Sequence, residues 1–224
     1  MAVVGAAAAN ITGSSLLDNG VAAGLPTVSV KPAAGGHGSL AMKESKVYRA
    51  HGVGVQISDG CEASIVKCSI CKSTKAGVAA KAAGKLQLLQ NEISDGASAG
   101  LMLLQPGAGA TIKDNTLCAN TKAAIQVSDG AVATIHSNHL LDGKGAGIYL
   151  FNGAIAHVLH NRVRNCAGPG IKVEKCSPQI QRNTFCHGEG KLQRVCSTLS
   201  LFRLGSRVSV PLPGSSRCWH LDIR

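Results

Sequence analysis

Residues 124–141 read AIQVSDGAVATIHSNHLL, residues 147–163 read GIYLFNGAIAHVLHNRV, and residues 170–185 read GIKVEKCSPQIQRNTF. Aligned on Asn138, Asn161 and Asn183, the first two stretches superimpose position by position, and the third does so with one residue fewer between its opening glycine and its asparagine. Each opens on a small residue (Ala124, Gly147, Gly170), with apolar residues one and three places on. Working toward the N-terminus, the pattern returns with opening residues at Gly100, Gly77 and Gly52 and turn residues at Asn115, Asn91 and Cys68. Successive opening residues are 25, 23, 24, 23 and 23 apart, and successive turn residues 23, 24, 23, 23 and 22 apart. A period in this range predicts stacked, solenoid-type architecture.

The apolar columns say what kind of solenoid. Three positions before the turn residue stand Ile65, Leu88, Ile112, Ile135, Val158 and Ile180; two after it stand Ile70, Ile93, Leu117, Leu140, Val163 and Phe185. Spacing of two inside the opening stretch is the period of a pleated strand with one buried face. A coil of about 23 residues is too short for a strand plus a packed helix, which takes roughly 30 or more. It suits three short strands joined by tight turns. The leucine-rich horseshoe has a similar period, but its L-x-x-L-x-L-x-x-N signature is absent. The predicted fold class is all-β: a right-handed, single-stranded parallel β-helix, pectate-lyase-like, of about seven coils.

Asparagine at the turn column has a structural reading. It tolerates left-handed backbone and can bond local main-chain groups. Stacked in successive coils, at the strand spacing of about 4.8 Å, Asn91, Asn115, Asn138, Asn161 and Asn183 are expected to form a bonded ladder. A degenerate earlier coil begins at Val28 and Val30, with Ser45 one period before Cys68 in the turn column. Three regions follow: 1–26 as an N-terminal cap or partial coil, 27–190 as the repeat domain, and 191–224 as a basic, poorly ordered C-terminal extension. Past Gly190, Arg194 and Arg203 would fall in apolar columns, and burying two charges is too costly.

The net charge is +11, but the last 34 residues carry six Lys/Arg against one Asp, leaving +6 for the first 190. Aromatic residues make up only 3%, so base-stacking platforms are scarce and nucleic acid is not the expected partner. The densest basic group on the solenoid is Arg162, Arg164, Lys172, Lys175 and Arg182. Nine cysteines without a secretory signal read as reduced thiols. Cys68-Ser69-Ile70-Cys71 lacks a second pair for zinc. The N-terminus has neither basic n-region nor long apolar stretch, and no segment is long enough to span a bilayer, so a cytoplasmic or nuclear location without membrane contact is expected.

Candidate chemistry along the columns is sparse. His136, His139, His157 and His160 gather around two neighbouring corners and could hold a divalent metal, but solvent-facing turn residues are the simpler reading. Inverting hydrolysis needs two carboxylates roughly 6.5–9.5 Å apart. Asp95 and Asp142 share a column two coils apart, and Asp59 and Asp129 fit turn chemistry. With no acids paired in adjacent coils, no catalytic residue, metal or cofactor is assigned.

The pattern G-Φ-x-Φ followed by Φ-x-x-N-x-Φ resembles the carbohydrate-binding and sugar-hydrolysis repeats, and most of all the β-helix region of the β-helical F-box-only proteins, over residues 27–190. That resemblance implies substrate recognition for a ubiquitin ligase, although no F-box-like helical segment is evident. The resulting expectation is a noncatalytic scaffold for a protein partner; a carbohydrate-binding or polysaccharide-degrading protein is the alternative. The expected contacts are Arg162, Arg164, Lys172, Lys175 and Arg182, with Tyr149 and Phe151, which alternate with Ile148 and Leu150 and therefore face outward.

Overall fold

Alternating apolar positions and left-handed corners wind this chain into a parallel β-helix. The structure is a computed structural model that describes residues 2–4, 8–19, 24–32, 36–82, 84–186, 207–209 and 218–223. Every regular element among them is a strand. Each full coil contributes three. Face A stacks eight strands in chain order, from Ala2–Val4 and Val28–Lys31 to Ile171–Glu174, through seven parallel pairings. Face B stacks the five-residue strands from Ala8–Thr12 to Ile155–Leu159, and face C the three-residue strands from Ser15–Leu17 to Arg162–Arg164. In the last coil both halves belong to one strand, Gln179–Cys186.

The inward columns are those the sequence pattern picked out. Ile65, Leu88, Ile112, Ile135, Val158 and Ile180 are all buried, as are Ile70, Ile93, Leu117, Leu140, Val163 and Phe185. Each such side chain contributes about 1.5–3 kcal/mol by leaving water.

The opening column needs one correction. Val55, not Val53, pairs with Val78, so the opening residue of that coil is Gly54 rather than Gly52, and the 25-residue gap disappears. A slip of two residues keeps every side chain on its own face of the pleat, so periodicity could not detect it. Both positions require glycine: a Cβ on Gly54 would stand 2.5 Å from the Gly77 carbonyl oxygen, and one on Gly52 would stand 2.2 Å from the Gly24 carbonyl oxygen.

The asparagines form a continuous buried ladder. Asn115 Nδ2 donates to Leu88 O at 2.9 Å and to Asn138 Oδ1 at 3.0 Å, while Asn115 Oδ1 accepts from Asn91 N and Nδ2 at 2.9 and 3.0 Å. The pattern repeats through Asn161 to Asn183, and Cys68 N heads it by donating to Asn91 Oδ1 at 2.8 Å. The left-handed backbone, expected at Asn, falls one residue earlier: Lys67, Gln90, Asp114, Ser137, His160 and Arg182 have φ between 52° and 55°. Their side chains sit on the outer corner, so the asparagine is free to turn inward as a hydrogen-bonding strut.

Both ends carry strands. Residues 2–17 supply three strands in parallel register with the next coil. In the 191–224 tail, Cys218–Ile223 runs antiparallel to Gln179–Cys186, and Arg207–Ser209 pairs with it in turn. Such reversal covers the open sheet edge of a solenoid end. Arg194 and Arg203 lie outside the described residues. Cys186 is disulfide-bonded, which corrects the reading of all nine cysteines as reduced thiols; the antiparallel register sets a second cysteine, Cys218, opposite it.

Candidate functional site

With the interior spoken for by the columns, recognition chemistry has to come from outward positions. On face A these run, coil by coil, Gln56, Ala79 and Lys81, Met102 and Leu104, Gln126, Tyr149 and Phe151, then Lys172 and Glu174, with Ser58 and Ser128 buried in the Phe151 column. Tyr149 and Phe151 flank Leu150, whose burial is complete, and both remain half-exposed. Their rings stack at 4.5 Å with 22° between planes. The next coil pins them: Tyr149 Oη donates to Glu174 Oε2 at 2.6 Å, and Lys172 Nζ lies 4.5 Å over the Tyr149 ring while paired to Glu174 Oε1 at 2.7 Å. Hydrogen bonds from Lys172 and Tyr149 hold the Glu174 carboxyl below its ordinary range. The same bonds push the Lys172 ammonium and the Tyr149 phenol upward.

Across the corner, face B extends this surface with residues the sequence reading passed over. Val132 and Ile155 stand in register and are 44% and 53% exposed. Their alternation with buried Ala133, Ile135, Ala156 and Val158 was the available signal that they point out. The corner is tight, with Asp129-Gly130 and Asn152-Gly153 all left-handed. Tyr149 and Phe151, with Ile155 and Val132 across the corner, make an apolar ridge with a charged rim at Lys172 and Glu174; Met102 and Leu104 lie two coils away, beyond Gln126 and Ser128.

The basic group does not form one surface. Lys172 lies on face A, and Lys175 follows in a left-handed corner with φ 53°. Arg182 occupies the corner between the two halves of the last strand, at φ 52°. Arg162 and Arg164 are exposed on face C, either side of buried Val163. Of the five, Lys172 lies over the Tyr149 ring. Ten residues are nearly half a coil, so Arg162 and Lys172 face different directions.

Catalytic and metal constellations are weak. His136 and His160 lie 5.2 Å apart by ring centroid, and His136 Nδ1 is bonded to Ser137 Oγ at 2.8 Å. His139 and His157 are exposed on faces C and B. Among the described residues no three His, Cys, Asp or Glu gather to hold a metal. Asp59 and Asp129 sit in left-handed turns. A shallow groove of about 260 Å³ on face B, not visible in the sequence, is lined by Asn10, Ser39, Glu62, Ser64, Lys85 and Gln87. It offers one carboxylate, Glu62, which lies 3.8 Å from Lys85 Nζ, not the two that hydrolysis of a glycoside calls for. Cys68 is buried under the ladder while Cys71 faces outward, so the pair does not converge. Burial pushes the Cys68, Cys118, Cys166 and Cys176 thiols upward, away from the thiolate that makes a nucleophile.

The family model described as a right-handed beta helix region matches residues 33–185. No curated protein matches the chain, and no solved structure does. Among the described residues no helix is long and apolar enough to cross a membrane.

Proposed function

The chain belongs to the right-handed β-helix family, and within it we propose that it is a noncatalytic scaffold whose apolar ridge binds a protein partner. The observation that carries this reading is the stacked Tyr149–Phe151 pair, half-exposed yet fixed by Glu174 and Lys172. A large aromatic held rigidly at the surface loses little conformational freedom on binding, and rigid aromatics ringed by polar groups are the usual energetic centre of an interface. Val132 and Ile155 add apolar area beside it. Arg162, Arg164, Lys175 and Arg182 are second-tier contacts for a partner that wraps toward face C. The likeness of the repeat to β-helical F-box-only proteins makes ubiquitin-ligase components and their substrates the first partners to seek.

The full chain as bait in a lysate, against a Tyr149→Ala, Phe151→Ala double variant, tests the reading. Proteins captured by the native chain and lost by the variant support it. Loss of one such anchor costs about 2 kcal/mol or more, roughly thirtyfold in affinity. Capture that is unchanged by the variant overturns the ridge as the interface. The face B groove favours a second reading, a saccharide ligand, since Asn10, Ser39, Ser64 and Gln87 offer hydrogen-bonding groups beside the apolar Ala9, Ala41 and Ala63. A glycan array that binds the chain, with loss on Gln87→Ala, would replace the first reading.

A further inference from the structure

The first full coils carry a charged corner on face C that the basic-cluster reading passed over. Lys46 and Tyr48 are the outward residues of the strand Lys46–Tyr48, either side of fully buried Val47. Arg49 follows in a left-handed corner, and Lys72 occupies the same corner one coil on, with φ of 54° and 58°. Around the Tyr48 ring, Lys46 Nζ, Arg49 Cζ and Lys72 Nζ stand 5.1, 5.1 and 5.2 Å from its centroid. Lys72 Nζ donates to Tyr48 Oη at 3.0 Å, which leaves the phenol proton to donate outward.

We propose that this corner of Lys46, Tyr48, Arg49 and Lys72 binds a phosphate monoester carried by a segment of a protein partner.

Charge count selects the ligand. Arg49 is paired to Asp18 at 2.6 Å, while neither lysine has a carboxylate within ion-pair distance among the described residues. Against the three cations stand Asp18, paired to Arg49, and Asp95, whose charge acts on Lys72, so the corner keeps a net positive charge. Its three cationic groups and the phenol outnumber the two oxygens of a carboxylate and suit the three terminal oxygens of a phosphate monoester. Because all three cations surround one ring, no two can be farther apart than about 10 Å, a separation over which salt screens charges only in part. Their repulsion is therefore incompletely screened until an anion sits among them. Lys72 also turns to the phenol although Asp95 follows in its own corner column, which keeps its charge at the crown.

The neighbours select a peptide as the carrier. In the Lys46 column, Ser15 and Ser69 stand on either side, small enough for an extended backbone to approach. In the Tyr48 column, Leu17 precedes the ring and is 51% exposed, an apolar seat one strand spacing from the anion site. A free anion has no use for that seat. The corner lies on a different face from the aromatic ridge, and neither site's failure bears on the other.

Nuclear magnetic resonance titration of the full chain tests this with four probes: a blocked Gly-phosphoserine-Leu-Gly peptide, its unphosphorylated twin, inorganic phosphate, and phosphatidylserine vesicles. The expected result is saturable shifts at the amides of residues 46–49 and 72, with the phosphopeptide binding about tenfold or more tighter than the other three. Lys46→Met with Lys72→Met weakens it about tenfold or more, Tyr48→Phe weakens it by less, and Lys113→Met on face B leaves it unchanged. Since Lys46 and Lys72 are exposed, these variants keep the fold. Absence of saturation, equal binding of the unphosphorylated twin, or an unaffected double variant overturns the proposal. Equal binding of inorganic phosphate, or tightest binding to vesicles, overturns the assignment to a protein partner.

Discussion

Replacing Asn138 by alanine isolates what the ladder contributes, because the consequences can be counted bond by bond. The substitution removes donation from Asn138 Nδ2 to Ile112 O (2.8 Å) and Asn161 Oδ1 (3.0 Å), and acceptance by Oδ1 from Asn115 N and Nδ2 (both 3.0 Å). Two of the partners keep another bond: Asn161 Oδ1 still accepts from Asn138 N, and Asn115 Nδ2 still donates to Leu88 O. The Asn115 N–H and the Ile112 carbonyl lose these partners inside a wall where Asn138 is fully buried. At about 1–3 kcal/mol per stranded group, plus about 1 kcal/mol for the cavity, Asn138→Ala should cost about 3–7 kcal/mol. That is a large share of the roughly 5–15 kcal/mol typical of a whole domain. Urea unfolding followed by far-ultraviolet circular dichroism reads the loss, and hydrogen exchange reads it locally as lost protection at the Asn115 amide. Asn138→Asp keeps the volume and the acceptor but not the donor, so it should remain strongly destabilising if bonding rather than filling matters. The exposed Thr134→Ala on the same coil should stay within about 0.5 kcal/mol. A cost below about 1 kcal/mol for Asn138→Ala, with Asn115 still protected, would refute the ladder as a principal stabiliser.

Three further outcomes follow from the same geometry. Cys68→Asn should carry the ladder one coil further and raise the melting temperature, at about 1 kcal/mol per net hydrogen bond; thermal unfolding checks it, and a lowered midpoint counts against it. Gly147→Ala should cost about 1–3 kcal/mol, since a Cβ there would lie 2.5 Å from Gly170 O and 2.6 Å from Val163 Cγ1, whereas Gly109→Ala meets nothing closer than 3.5 Å and should be near neutral in the same denaturation assay. The Glu174 carboxyl should titrate below the ordinary glutamate value of about 4.3, and Lys172→Met should bring it back up, as read by carbon-13 shifts. With a depressed folded pKa, its contribution is present above the ordinary glutamate range and is lost as pH falls through the lowered value. Lys172 and Tyr149, both raised, contribute below their unfolded values and lose that contribution as pH rises through the raised ones.

Most of the fold was legible because one side of each strand has a single permitted chemistry. Ile135, Val158 and Ile180 must be apolar since they share a closed interior with Ile65 and Leu88, and that requirement recurs each coil. The Gly52 column misled because a two-residue slip preserves parity, and both Gly52 and Gly54 are closely approached by backbone, so only the pairing of Val55 with Val78 distinguishes the registers. The left-handed position was misplaced by one because the residues that adopt it range from Lys67 to His160 and Arg182, a mixture with no shared side-chain signal. The outward direction of Tyr149 and Phe151 followed from alternation. Their stacking, their tether to Glu174 and the exposure of Val132 and Ile155 depend on side-chain conformations that alternation leaves open.

Surface sites on this molecule obey a different rule of proximity from its sequence. Moving ten residues along the chain turns nearly half a coil, so Arg162 and Arg164 on face C and Lys172 on face A are neighbours in sequence and not in space. Moving 23 or 24 residues returns to the same face about 4.8 Å away, so side chains at that separation meet unless they turn apart. Tyr149 meets Lys172, Val132 lines up with Ile155, and Tyr48 meets Lys72, each pair at this interval. A basic run in the chain is therefore no evidence for a basic surface here. A charged or aromatic residue that finds its complement one coil later is such evidence, and both the apolar ridge and the cationic corner are built from pairs of that kind.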